Sequence, residues 1–124
     1  MKLKDSKYKM GHTFESRQAD AAKVRERHPD RLPVICEKVH NSDIADLDKC
    51  KFLVPSDLTV GQFVMVLRKR VQLEAESALF VYINDTVLPS SAQMADIYTK
   101  YKDEDGFLYI KYSGEATFGR RPCA

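Results

Sequence analysis

The longest unbroken apolar run in these 124 residues is ALFVYI, residues 78–83. A membrane-spanning helix needs roughly 20 apolar residues, so no spanning segment is expected. The N-terminal stretch MKLKDSKYKM is basic but has no apolar run behind it. That argues against a secretory signal and for a cytosolic location. An excess of one charge is also missing, because 20 Lys and Arg against 18 Asp and Glu leave a formal net charge of only +2. Such a balance does not draw nucleic acid to a surface. The one basic run, Arg68-Lys69-Arg70, falls at the end of a predicted helix, where the carbonyl end of the dipole favours cations. No nucleic-acid partner is expected. The 3 cysteines, Cys36, Cys50 and Cys123, are odd in number and lack CxxC spacing, which excludes a disulfide framework and a zinc site.

Catalytic constellations are missing too. His12, His28 and His40 lie in segments that read as loops or helix ends and are expected to be solvated. Cys36 and His40 are too far apart to act as nucleophile and base, since four residues of strand span about 13 Å. Cys36 therefore reads as a small buried hydrophobe. Neither Gly114 nor Gly119 opens a helix, and the GxxxxGK pattern is absent, so no phosphate loop is expected. The chain reads as a non-enzyme without a metal or cofactor.

What is present is enough for one domain with a core. The stretch KFLVPSDLTVGQFVMVLRKRV, residues 51–71, organises it. Residues 51–55 alternate and end at Pro55, which removes a ladder donor and closes a strand. Thr59 and Gln62 have capping-box spacing, so a helix is predicted over 60–73. Val60, Val64, Leu67 and Val71 form its apolar stripe, the face a surface helix buries. Phe63 and Val66 fall off that stripe, on the flank of Arg70, and predict a second apolar edge available to a partner.

Ahead of this stretch, residues 1–12 are basic and compatible with a short helix or an arm, with Gly11 as a break. Residues 14–28 read as a weakly apolar helix that stops before Pro29. In residues 31–39, Leu32, Val34 and Cys36 point one way, as core, and Pro33, Ile35 and Glu37 the other. Pro33 suggests that this strand lies at an edge or that its missing donor faces no neighbour. An edge strand is an opening for a partner. Residues 40–50 read as the loop of a hairpin. Further on come a strand at 79–83, a turn at Asn84-Asp85, and a short return at Val87 and Leu88. Ser90 and Gln93 again have capping-box spacing, ahead of an amphipathic helix carrying Met94, Ile97, Tyr98 and Tyr101. The last strand is predicted at 107–112, with an exposed tail beyond it.

The order hairpin, helix, strand, helix, strand is an α+β arrangement in which one sheet wraps a helix, the β-grasp order. The expected organisation is an N-terminal helical extension at 1–30, a core at 31–112 and a flexible tail at 113–124. The two leading helices are too weakly apolar to stand alone and are expected on or beside the sheet.

Three blocks carry a more specific signal: PDRLPVICEK at 29–38, KFLVPSDLTVGQF at 51–63 and FLYIKYSGEATFG at 107–119. Together they resemble the ubiquitin-like autophagy modifiers, the family of the GABA-receptor-associated proteins and the microtubule-associated light chains. The resemblance runs from about Phe14 to Gly119. It implies a β-grasp core behind two helices, no enzymatic activity and two functional sites. At the first site, a cysteine protease trims the tail after Gly119, with Phe118 as its recognition handle. Activating and conjugating enzymes then carry Gly119 to phosphatidylethanolamine, which moves the protein from cytoplasm to autophagosomal membrane.

The second implied site is a groove for adaptor and cargo-receptor peptides with an aromatic and an aliphatic anchor three positions apart. Matching residues for its first pocket are Asp20, Val24, Pro33, Ile35, Lys51, Leu53 and Phe107. Those for its second pocket are Phe52, Val54, Pro55, Leu58, Phe63, Val66 and Arg70, with Arg31 as a charge contact for acidic partners. Cys50, where many relatives look basic, and Val66, smaller than the leucine often seen, are expected to shift peptide choice. The N-terminal arm is longer than in many relatives, where tubulin and membrane contacts are attributed to it. Cys123 lies in the segment expected to be lost. The alternative is an unconjugated ubiquitin-like interaction module in vesicle trafficking or on the cytoskeleton, for which a removable tail behind Phe118-Gly119 has no purpose.

Overall fold

The computed structural model describes residues 6–39, 44–71, 73 and 77–114. Its elements run α1 (Lys7–Gly11), α2 (Phe14–Arg27), β1 (Arg31–Lys38), β2 (Lys51–Pro55), α3 (Val60–Arg70), β3 (Phe80–Ile83), β4 (Thr86–Val87), α4 (Met94–Tyr101) and β5 (Leu108–Ser113). The 5 strands form one sheet in the order β2-β1-β5-β3-β4. β1 and β5 are parallel, and every other neighbour pair is antiparallel. This is the α+β β-grasp that the element order predicts, with two helices ahead of it.

Strand alternation sends β1 side chains to two different cores and turns Phe52 and Val54 of β2 into the larger of them. Leu32, Val34, Cys36, Phe52 and Val54 join Val60, Phe63 and Leu67 of α3 in the larger one. Ile35 faces the other way, in a smaller cluster with Tyr8 of α1, Ala21 of α2 and Phe107. The α3 helix starts as expected: Thr59 Oγ1 accepts from the Gln62 amide, and the Gln62 side chain accepts from the Thr59 amide. Such a cap stabilises a helix by about 1 kcal/mol.

Several expectations need correction. β1 is not an edge, because it pairs with β2 on one side and β5 on the other; the edges are β2 and the two-residue β4, and β2 is the one beside β1. Pro33 survives inside the sheet for the other reason offered by the sequence. Odd-numbered amides of β1 face β5, as Val39 N–H to Tyr112 O shows, and pairing with β5 begins only at Val34 and Leu108. The missing donor therefore falls beyond the ladder. Pro33 and Ile35 are nevertheless buried, because the N-terminal helices cover that face.

α3 ends at Arg70, with Val71 as its C-cap, short of residue 73. Phe63 belongs to its buried stripe, at 1% exposure, rather than to a second edge. α4 has no side-chain cap and Ser90 does not serve as one; its N-cap is Gln93. The Met94 amide is satisfied by Leu58 O at 2.8 Å, next to a bridge between Thr59 and Gln93, so backbone pairing replaces the capping box. β5 runs through Ser113, which is buried, so the tail does not begin there. Phe118, Gly119 and Cys123 lie outside the described residues, as does His40. His12 is exposed yet partnered, stacked on Tyr8 at 4.2 Å with Nδ1 donating to Tyr8 O at 2.9 Å.

Polar contacts hold the leading helices in place. Arg17 Nε donates to Asp105 Oδ2 at 2.8 Å, and that buried carboxylate also accepts from Tyr109 OH at 2.6 Å and the Phe107 amide at 2.8 Å. Lys9 Nζ lies 2.7 Å from Asp103 Oδ1. The Tyr8 amide donates to Glu37 Oε2 at 2.9 Å. Gly106, at φ +97°, lets α2 approach, since a Cβ there would stand 3.0 Å from that of Ala21.

Candidate peptide-binding edge

The open edge of β2 has a defined polarity. The Cys36 amide donates to Cys50 O at 2.8 Å, and the register pairs Val34 with Phe52 and Leu32 with Val54. In an antiparallel ladder the backbone groups of alternate residues turn toward the partner. Phe52 and Val54 therefore turn theirs to β1, and Lys51 and Leu53 turn theirs outward. Pro55 shares that outward phase, where its lack of a donor costs no ladder bond.

Side chains alternate in the same rhythm. Lys51 and Leu53 stand exposed on the α2 face, while Phe52 and Val54 are buried on the α3 face. The residues matched to the first pocket gather on the α2 side. Pro33, Ile35 and Phe107 are its buried floor, and Asp20, Val24, Lys51 and Leu53 form the accessible rim. Lys51 Nζ lies 3.3 Å from Asp20 Oδ2, and the Tyr8 hydroxyl donates to the same oxygen at 3.5 Å. Burial, reinforced by the Asp20 charge, pushes the Tyr8 hydroxyl up to about 12.

The residues matched to the second pocket lie on the opposite face. Phe52, Val54 and Phe63 are buried, with the Phe52 and Phe63 rings edge to face at 5.8 Å. Pro55 and Leu58 are half-buried, and Val66 is 40% exposed. The Arg70 guanidinium sits 5.5 Å over the Phe52 ring and 3.7 Å from Asp48. Arg31, at the start of β1, reaches across to Leu53 O at 3.5 Å. Two clefts, of about 90 and 190 Å³, lie elsewhere and include none of these residues. The edge is a ledge with shallow apolar ground on each face, a shape that suits an extended chain better than a small molecule.

The sequence model of the family described as "Autophagy protein Atg8 ubiquitin like" matches residues 16–119. The chain belongs to this family. Relatives named Autophagy-related protein 8 include one from Pichia angusta, 59% identical over 93% of this chain and 92% of its own length. Another, from Candida albicans, is 58% identical over 94% of this chain and 86% of its own. The crystal structure of Trypanosoma brucei ATG8 superposes with a TM-score of 0.88 at 90% identity, covering 93% of this chain and 99% of that one. The chain is thus a ubiquitin-like autophagy modifier, and its site is to be sought in surfaces for partners.

Within this Atg8 fold, Tyr8 beside the first-pocket residues escaped sequence reasoning, and Cys50, expected from the sequence to shift peptide choice, sits with it. Tyr8 is buried against Ala21, Ile35 and Phe107, and Cys50 packs beside them half-buried. Tyr8 stands alone in a basic arm without periodicity, so its seat against Phe107, with ring centroids 5.5 Å apart, left no trace in the sequence. Burial, with the Glu37 charge, raises the Cys50 thiol above its ordinary value, which makes it a poor nucleophile.

Proposed function

We propose that this Atg8-family chain is conjugated through Gly119 to phosphatidylethanolamine and recruits adaptors by adding their peptides to β2. The observation that carries the peptide reading is the phase of β2. Its outward backbone groups belong to Lys51 and Leu53, and apolar ground lies on both faces beside them. Anchors three positions apart in an extended peptide point to opposite faces, because side chains alternate with period two. One anchor then meets Leu53 and Val24 on the α2 side, and the other meets Val66 and Leu58 on the α3 side. This supports β2, and not β1, as the strand that a peptide extends.

Burying each large anchor is worth roughly 2 to 3 kcal/mol, and after ordering costs the sum suggests micromolar affinity. Lys51, Arg31 and Arg70 favour acidic partners, an effect that salt weakens. Calorimetry with an acidic peptide carrying both anchors tests the site. Leu53→Ala is expected to weaken binding severalfold while leaving the fold intact, since Leu53 is exposed. Equal affinity for variant and wild type overturns the assignment.

The conjugation reading is supported by family membership over residues 16–119, which reaches Gly119. A carboxylate that is adenylated, passed to a thiol and attacked by an amine needs close approach, and a residue without Cβ obstructs least. The processing protease removes residues 120–124, using Phe118 as its handle. The acyl chains then anchor the protein at about 0.8 kcal/mol per buried methylene. In cells forming autophagosomes, Gly119→Ala is expected to stay full-length and diffuse. Continued loss of residues 120–124 with normal membrane partitioning defeats the assignment of Gly119.

A further inference from the structure

We infer that Tyr8 is a specificity-determining residue of the first pocket, whose ring, seated beside Ile35 and Phe107, sets how large an aromatic anchor the pocket takes; this deepens the peptide-edge reading and rests on it. The floor residues Ile35 and Phe107 are fully buried, yet α2 contributes only one buried side chain over them, the methyl of Ala21. A methyl cannot cover two large side chains. The remaining space is filled by one ring from the five-residue α1, that of Tyr8, buried and edge to face with Phe107 at 5.5 Å. The ring runs from floor to rim. Its hydroxyl lies 3.5 Å from the Asp20 oxygen that is also 3.3 Å from Lys51 Nζ, and Asp20 and Lys51 both belong to the accessible rim.

The ring is fixed from outside the edge. The Tyr8 amide donates to Glu37 Oε2 at 2.9 Å, its carbonyl accepts from His12 Nδ1 at 2.9 Å, and the His12 ring stacks on it at 4.2 Å. His12 is held in turn, its carbonyl accepting from Arg17 Nη1 at 2.9 Å, and Lys9 is tied to Asp103. An anchor that enters between Val24 and Leu53 therefore meets Ile35 and Phe107 as its floor and the Tyr8 ring as its end wall. Protein interiors pack densely, so the position of an end wall decides which ring fits without a void or a clash. A smaller side chain at position 8, or an α1 that lifts away, empties the space beside Phe107 and lengthens the pocket toward Asp20. A phenyl anchor then leaves a void, and an indole fills it.

Two acidic peptides, identical except for Phe or Trp as the aromatic anchor, are titrated calorimetrically into wild type, Tyr8→Phe and Tyr8→Leu, with each fold checked by circular dichroism. The readout is the ratio of the two affinities, which a general loss of stability leaves unchanged. Tyr8→Leu is expected to move it severalfold toward Trp, up to about tenfold. This holds whether α1 stays seated or comes loose, because the space beside Phe107 empties either way. Tyr8→Phe keeps the ring and is expected to keep the wild-type ratio. An unchanged ratio in Tyr8→Leu, or a shift in Tyr8→Phe as large as that in Tyr8→Leu, overturns the role of the ring and leaves the peptide edge standing. Failure of both peptides to bind wild type removes the peptide edge and the role of Tyr8 together.

Discussion

Against one face of the sheet, α3 sets Val60, Phe63 and Leu67, each at 1% exposure or less. Against the other, the longer helix α2 buries only Ala21 and is held instead by Arg17 on Asp105, with α1 held by Lys9 on Asp103. Apolar burial is non-directional and needs only shape, so α3 is secured by the hydrophobic effect. Charge pairs at a partly dry interface hold only while both partners stay ionised and hydrogen-bonded. The α3 side should therefore fail only with the whole fold, and the helical extension should come loose locally. The peptide edge draws on both, since Phe52 and Val54 pack under α3 while Lys51 ties to Asp20 of α2.

The largest effect is expected on the apolar side. Phe63→Ala empties a fully buried ring position against Phe52 and should cost about 3 to 5 kcal/mol, read by equilibrium urea unfolding. Such a loss also disqualifies this variant as a probe of the groove, contrary to what its place beside Val66 in the sequence suggests. A cost below about 1 kcal/mol means that the α3 core is not the main support of the fold.

Arg17→Ala comes next. It strips the guanidinium from a carboxylate that keeps only the Tyr109 hydroxyl and the Phe107 amide, at a cost of about 2 kcal/mol. Hydrogen exchange should quicken over α1 and α2 more than over α3. Uniform quickening across the chain would erase the contrast between the two faces.

The smallest effect is local and depends on pH. Burial alone would raise the Asp103 carboxyl, but the Lys9 ammonium and the Asp105 amide outweigh it and hold it below its ordinary value. A carboxyl held low in the folded state stabilises the fold above its unfolded value, about 3.9. That stabilisation is lost as the pH falls through the folded value. Acidification below about pH 4 should free residues 7–11 before the sheet melts, and Lys9→Ala should remove most of this acid sensitivity. Exchange measured residue by residue across the titration tests both statements. The alkaline limb runs the other way. Tyr8, pushed up to about 12, stabilises the fold below its unfolded value near 10, and that contribution is lost as the pH rises through about 12.

Most of the fold was legible because its signals are local. The capping box at Thr59 and Gln62, the stripe of Val60, Val64, Leu67 and Val71, of which Val64 is only half-buried, the turn at Asn84-Asp85 and the set Met94, Ile97, Tyr98 and Tyr101, of which Tyr101 is only half-buried, each report on a few neighbouring residues. What they imply appears where expected. The misreadings share a different origin. Whether Ser90 caps α4 depends on Leu58 O, brought to Met94 from a distant turn. Whether Phe63 is core or rim depends on the Phe52 ring opposite it.

By itself, then, the sequence determined the element types, their order and the residues rich enough in apolar surface to seek a core, since periodicity and capping are properties of neighbours along the chain. It also contained every residue of the candidate edge. Only the tertiary structure decided which strand of the first hairpin is an edge, because β5 returns to pair with β1 and leaves β2 outside. The same return put Phe107 beneath Tyr8 and fixed which backbone groups of Lys51 and Leu53 face outward. Those are relations between segments far apart in sequence, and long-range pairing leaves no periodicity in either segment from which to read the other.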